Sequence, residues 1–156
     1  MQNQTILFHG SYTSVKQPLV KKMRYTKDFG VGFYCTNLER QAIRWCFKFD
    51  TPTINRYSYT PNVKLKHLKF EEMSEAWLDF IIACRSGQPH DYDIVEGPMA
   101  DDQIYNFIGE VIKENFSRAA FWELAKFRYP THQLSFHTDV ALTTLTFIDA
   151  KEASLV

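Results

Sequence analysis

Residues 27–36 read Lys27-Asp28-Phe29-Gly30-Val31-Gly32-Phe33-Tyr34-Cys35-Thr36, two glycines one residue apart set among aromatic side chains. Glycine at such positions allows positive φ and lets another backbone or a ligand come close, because no Cβ stands in the way. Phe33 and Tyr34 follow at once, so the bend delivers two rings to its rim. Thr36 and Glu39 have the spacing of a capping box and predict a helix start. A bend, an aromatic shelf and a helix amino end together suit a flat ligand carrying phosphates. The plainer reading is a tight turn whose rings join the core.

The rest of the chain bounds what this bend can belong to. With 156 residues, 45% hydrophobic and 15% aromatic, a single domain over 1–156 with a well-stocked core is expected. Eighteen basic and eighteen acidic side chains cancel, so net charge steers nothing toward nucleic acid or membrane. Cys35, Cys46 and Cys84 are too few and too scattered for a disulfide framework or a zinc knuckle. No apolar run has the length of a membrane span, and Met1-Gln2-Asn3-Gln4 carries no basic segment of a signal peptide. A reducing, cytoplasmic address is the expectation.

Along the chain, Thr5–His9 predicts a short strand ending at Gly10-Ser11, and Tyr12–Arg24, with Lys16, Lys21, Lys22 and Arg24, predicts a surface loop. Leu38, Ala42, Trp45, Cys46 and Phe49 give the helix after the bend one apolar face, with Gln41 on the other. Ile54–Tyr59 and Val63–Phe70 predict two strands joined by a Thr60-Pro61-Asn62 turn. Ser74 caps a helix with Trp77, Phe80, Ile81 and Cys84 inward, ended by Gly87 and Pro89. Tyr92–Val95 predicts a buried strand. Asp101 and Asp102 open a helix with Ile104, Phe107, Ile108, Val111 and Ile112 inward. Ser117 caps another, with Phe121, Leu124 and Ala125 inward, stopped by Tyr129-Pro130.

Gln133, Ser135 and His137 alternate with Leu134 and Phe136, so a late strand carries a polar row that needs partners. Val140 and Ala141 suggest a helical turn, and Leu145–Ile148 a closing strand. No metal-ligand spacing, Walker loop or dinucleotide fingerprint is present, so no metal is assigned. A thiol hydrolase using Cys35 and His9 is conceivable, but nothing in the sequence activates Cys35. His67, between lysines, is expected to face water.

Several motifs recur in order: Phe8-His9-Gly10-Ser11, the run from Lys27 to Thr36, Trp77-Leu78-Asp79-Phe80, Tyr92-Asp93-Ile94-Val95 before Gly97-Pro98, Ala100-Asp101-Asp102, and Gln133 to Thr138. This order, over about residues 6 to 148, resembles the ADP-ribosyltransferase superfamily, and within it a bacterial domain family of poorly known function. The resemblance implies an α+β fold, a split, twisted β-sandwich with flanking helices that grips NAD as co-substrate. It also implies a macromolecular acceptor and, as in toxin–antitoxin pairs, a small neutralising protein.

Carried over, the resemblance makes His9 a partner of the ribose next to adenine and Gly10 a backbone contact of the nicotinamide amide. Ser11, Phe29, Gly30 and Gly32 would frame the cofactor, with Phe33 and Tyr34 against the nicotinamide ring. Gln133 stands where the superfamily usually has an acid. Cleaving the nicotinamide–ribose bond builds positive charge on the sugar, which a carboxylate stabilises and an amide cannot. Asp93, Asp101 or Asp102 could supply the charge, and His137 could act as base. Two further readings stay open. One is a binding module that keeps the cleft without turnover; the other, prompted by the early lysines, is a nucleic-acid ligand or nuclease.

Overall fold

The structure, a computed structural model, describes residues 4–21, 27–126 and 131–153, together with the backbone but not the side chain of Asp102. The fold is α+β. Strands β1 (Thr5–Ser11), β2 (Phe33–Cys35), β3 (Thr53–Tyr59), β4 (His67–Lys69), β5 (Ile94–Gly97), β6 (Gln133–Phe136) and β7 (Leu145–Glu152) form two sheets. One is antiparallel, in the order β1-β3-β7. The other runs β2-β6-β5-β4 and is antiparallel except for the β4–β5 pair. Helices are α1 (Glu39–Cys46), α2 (Glu75–Arg85), α3 (Asp102–Ile112), α4 (Arg118–Ala125) and the short α5 (Asp139–Leu142).

Strand alternation sorts the core into layers. In β2, Phe33 faces the first sheet and packs with Leu7, Tyr57, Leu134 and Phe136. Tyr34 faces the opposite way, into the cluster of Phe29, Val95, Trp77, Leu78, Ile81, Ile104, Ile108 and Phe121. Helices α2, α3 and α4 supply that cluster. Helix α1 covers the outer face of the first sheet through Ala42 and Cys46, which cluster with Ile54 of β3. The layers therefore run α1, first sheet, second sheet, α2–α4. The sheets meet where Phe8 and Thr36 exchange backbone bonds of 2.8 and 2.9 Å.

Several sequence expectations need correction. Thr36 does not close a capping box, because its backbone is still extended and paired to Phe8. Leu38 occupies the N-cap with no side-chain cap bond, while Thr36 Oγ1 accepts from the Leu38 N–H at 3.0 Å. Gln41, expected outside, is buried. The stretch Val63–Phe70 forms strand only at His67–Lys69, and Val63 is 98% exposed. Strands β3 and β4 lie in different sheets and make no hairpin. The Tyr92–Val95 strand moves to Ile94–Gly97, and the closing strand runs on to Glu152. Ile112 and Leu124 are exposed rather than inward.

The expected starts of α2, α3 and α4 each rest on one short polar side chain. Ser74, Asp101 and Ser117 accept from the N–H groups of Trp77, Ile104 and Ala120. Gly87 ends α2 at φ 89°. The Tyr129-Pro130 stop, and Lys22 and Arg24 of the early loop, lie outside the described residues. None of the helices among the described residues is long and apolar enough to cross a membrane.

Candidate functional site

The glycine-rich bend is held from four sides. Gly30 takes φ 88° and its N–H returns to the Lys27 carbonyl at 3.1 Å, closing a turn that only glycine tolerates well. The Tyr34 hydroxyl accepts from the Phe29 N–H at 3.1 Å and donates to the Gly30 carbonyl at 2.5 Å. His90 Nδ1 accepts from the Tyr92 N–H, so its Nε2–H donates to the Phe29 carbonyl at 2.9 Å. His137 reaches the Val31 carbonyl with Nδ1 at 2.7 Å.

His9 lies between the sheets, half-buried, its ring stacked on Phe33 with centroids 4.2 Å apart. Its Nδ1 sits 2.6 Å from the Tyr34 carbonyl. A carbonyl only accepts, so Nδ1 carries the proton and Nε2 is left as an acceptor. Burial pulls the imidazole pKa down to about 4, against the help of that carbonyl and with nearby Lys27 adding to the fall. His9 is therefore neutral at physiological pH, in one tautomer.

Gln133 is 3% exposed on β6. Its Nε2 donates to Asp28 Oδ2 at 3.0 Å and lies 3.4 Å from the Pro98 carbonyl. Asp28 Oδ2 also accepts from the Ala100 N–H at 2.8 Å. Both neighbours of the amide nitrogen are acceptors, so chemistry fixes which end of the carboxamide faces them. None of the described residues donates to Oε1. No fully enclosed side-chain nitrogen or oxygen among the described residues lacks a partner, so this oxygen keeps contact with solvent.

The predicted site residues are thus only partly brought together. His9, Phe33 and the backbone of Tyr34 meet, whereas the Tyr34 ring and Gln133 project from the other face of β2 and β6. The Tyr34 ring is 8% exposed and its hydroxyl is fully engaged, which leaves a ligand little of it to stack on. Phe29 is wholly enclosed in the core, and Ser11 is buried at the end of β1. Gly10 lies under α1, where a Cβ would come within 2.5 Å of the Ala42 carbonyl. Gly32 makes room for His137.

His137 has both ring nitrogens occupied, Nδ1 by Val31 and Nε2 by Ser135 Oγ at 2.7 Å. Burial holds its pKa down to about 4, so it is neutral and has no free nitrogen for a proton. Asp93 accepts from the Lys66 N–H and from the Thr138 hydroxyl, and Asp101 caps α3. The side chain of Asp102 is outside the described set. Cys35 is fully buried, which pushes its thiol pKa well up, so the thiol-hydrolase reading gains nothing.

Two acids absent from the sequence-based set matter instead. Asp28 is 7% exposed, and burial raises its pKa against the bonds from Ala100 and Gln133. Glu96 lies beside an open cavity of about 240 Å³ with His132, Asn37, Lys69 and Thr131. His132 Nδ1 accepts from the Asn37 N–H, so Nε2–H donates to Glu96 at 2.9 Å, and bonds from His132 and His67 draw the Glu96 pKa down to about 2. His67 is exposed, 3.6 Å from Glu96. No group of three His, Cys, Asp or Glu among the described residues is placed to hold a metal ion.

A protein family described as "Protein of unknown function (DUF3990)" matches residues 5–147. The chain belongs to this family. Its span takes in β1, the bend and the start of β7, so every residue of the site described above falls within it. No curated protein and no solved structure matches the chain.

Proposed function

We propose that this chain binds NAD at the meeting of its two sheets and transfers ADP-ribose to a macromolecule, as the toxin of a bacterial toxin–antitoxin pair acting in the cytoplasm. The observation that carries this reading is His9. A neutral imidazole, fixed in one tautomer by the Tyr34 carbonyl, keeps Nε2 as an acceptor suited to a ribose hydroxyl. On the opposite face of the second sheet, Gln133 Oε1, in a side chain 3% exposed, is a second acceptor without a donor among the described residues, and is assigned to the hydroxyl beside the scissile bond. On this reading the two sheets form the split sandwich of the ADP-ribosyltransferases.

In the reaction, the bond from C1′ of the ribose to the nicotinamide nitrogen breaks, its electron pair leaving with nicotinamide. The acceptor's nucleophilic atom bonds to C1′ and releases its proton to solvent. Gln133 Oε1 accepts from the 2′-hydroxyl and orients it, while supplying no charge of its own. A small protein partner would neutralise the enzyme in its host.

A second reading, a nucleotide- or protein-binding module without turnover, is favoured by the enclosed Tyr34 ring and by the amide at position 133. Labelled NAD incubated with the protein and a bacterial lysate separates the two. Transfer of label, or nicotinamide release, that is lost in His9→Ala supports the enzyme. Calorimetric NAD binding with neither supports the module, and no binding at all excludes the enzyme and a module that takes NAD.

A further inference from the structure

We propose that Asp28 is the positioning residue that turns the Gln133 carbonyl oxygen outward and lends it negative charge, replacing the acid that position 133 lacks. This inference rests on the NAD-transfer reading for its catalytic consequence. The two residues are 105 positions apart and meet through the 3.0 Å bond from Nε2 to Oδ2. A carboxylate can only accept, and so can the Pro98 carbonyl beside it, so the amide has one permitted orientation. The carboxylate polarises the amide through the hydrogen bond, drawing the N–H toward it and pushing electron density onto Oε1.

Asp28 is itself locked, because the same Oδ2 accepts from Ala100, in the loop leading to α3. That loop is braced by Trp77 Nε1–H donating to the Pro98 carbonyl at 2.9 Å, and by Thr131, whose hydroxyl bonds both the N–H and the carbonyl of Met99. The pair is thus built by the bend, α2, the loop before α3 and β6 together. The charged or titratable groups around Asp28 are Lys27 beside it, Arg85 and Cys84 on α2, and Tyr34 on β2. Burial is the largest influence and raises the carboxyl pKa on balance, while the bonds from Ala100 and Gln133, and after them the two cations, favour the ionised form.

Asp28→Asn keeps an oxygen to accept both bonds and removes only the charge. The double variant Asp28→Asn with Gln133→Glu moves the charge to position 133, but at the cost of a bond, because one atom, Oδ2, faces both the Ala100 N–H and position 133 and cannot accept from one while donating to the other. Nicotinamide release from NAD should fall about tenfold to a hundredfold in Asp28→Asn, with NAD affinity within about threefold. In the double variant release should recover to within about tenfold of the parent or exceed it. A structural role alone would give Asp28→Asn full turnover, and failure of the double variant to recover while its thermal midpoint matches the parent's also overturns the charge assignment.

A second measurement does not need turnover. The side-chain amide signals of Gln133 in ¹⁵N–¹H spectra should shift downfield, titrate with an acid group and lose that titration in Asp28→Asn. Signals at ordinary positions that ignore pH overturn the pairing. Absence of NAD binding and turnover in the parent would defeat the NAD reading, while these signals would still decide whether Asp28 orients and charges the amide.

Discussion

A Cβ on Gly32 would stand 2.8 Å from Nδ1 of His137 and 2.9 Å from the Phe136 carbonyl oxygen. The glycine exists at this point so that an imidazole just after β6 can seat against the bend and bond to Val31. Gly32→Ala must displace either backbone or a ring held at both nitrogens, and should cost about 2–4 kcal/mol. Gly87→Ala meets nothing within 4 Å, but its φ of 89° strains any side chain, so a cost of about 1 kcal/mol is expected. Urea unfolding of the two variants measures the difference, and equal mild losses would contradict this packing.

Tyr34→Phe keeps the ring in the core and removes the hydroxyl that serves the Phe29 N–H and the Gly30 carbonyl. A loss of about 1–3 kcal/mol follows from leaving those groups unpaired in an enclosed site. Hydrogen exchange of the Phe29 amide should accelerate accordingly. Unchanged protection there would show that the hydroxyl does not hold the bend.

Asp28→Ala and Asp28→Asn should part company in stability. Alanine leaves the Ala100 N–H and the Gln133 amide without their acceptor, at a cost of about 2–4 kcal/mol. Asparagine preserves an acceptor and relieves a buried charge, so its thermal midpoint should equal or exceed the parent's. Equal destabilisation by both would mean that the charge, rather than the bonds, holds this part of the fold together.

Acid should loosen the protein before it titrates its ordinary carboxylates. His9 and His137 have pKa values lowered by burial from the usual 6.5 to about 4. Between those values the unfolded chain binds more protons than the folded one, so stability rises with pH across that window. Their contribution is complete above about 6.5 and is lost as pH falls toward about 4, on the order of 1–2 kcal/mol each after allowance for partial exposure. Glu96, lowered from 4.5 to about 2, adds a further loss at lower pH. Asp28, raised by burial, acts in the opposite sense and favours the fold on acidification. In the Asp28→Asn background, where the opposing carboxyl is gone, the urea midpoint should therefore drop from about pH 7 to about pH 5, and a flat profile there would show that neither imidazole is buried neutral.

What could be read from the sequence were features whose cause is local. Ser74, Asp101 and Ser117 cap helices because one side-chain oxygen reaches an N–H three residues on. The alternation of Leu134 and Phe136 with Gln133 and Ser135 placed a polar row on one face of β6. Long-range pairing was not legible. Thr36 and Glu39 fit a capping box, but pairing of Thr36 with Phe8 keeps the backbone extended there. Gln41 looked like a solvated position on α1, yet its amide clamps the backbone of His132, 91 residues away, which accounts for its burial. Asp28 sits beside the glycine bend with nothing near it in sequence to mark a partner. Only the return of β6 reveals that it pairs with Gln133.

Nicotinamide release from NAD, measured for the parent and for His9→Ala and Gln133→Ala, tests most directly whether the two free acceptors hold a dinucleotide. The proposed function predicts release by the parent and a fall of at least about tenfold in each variant, because each removes an acceptor for a ribose hydroxyl. Release that is undiminished in both variants would contradict it.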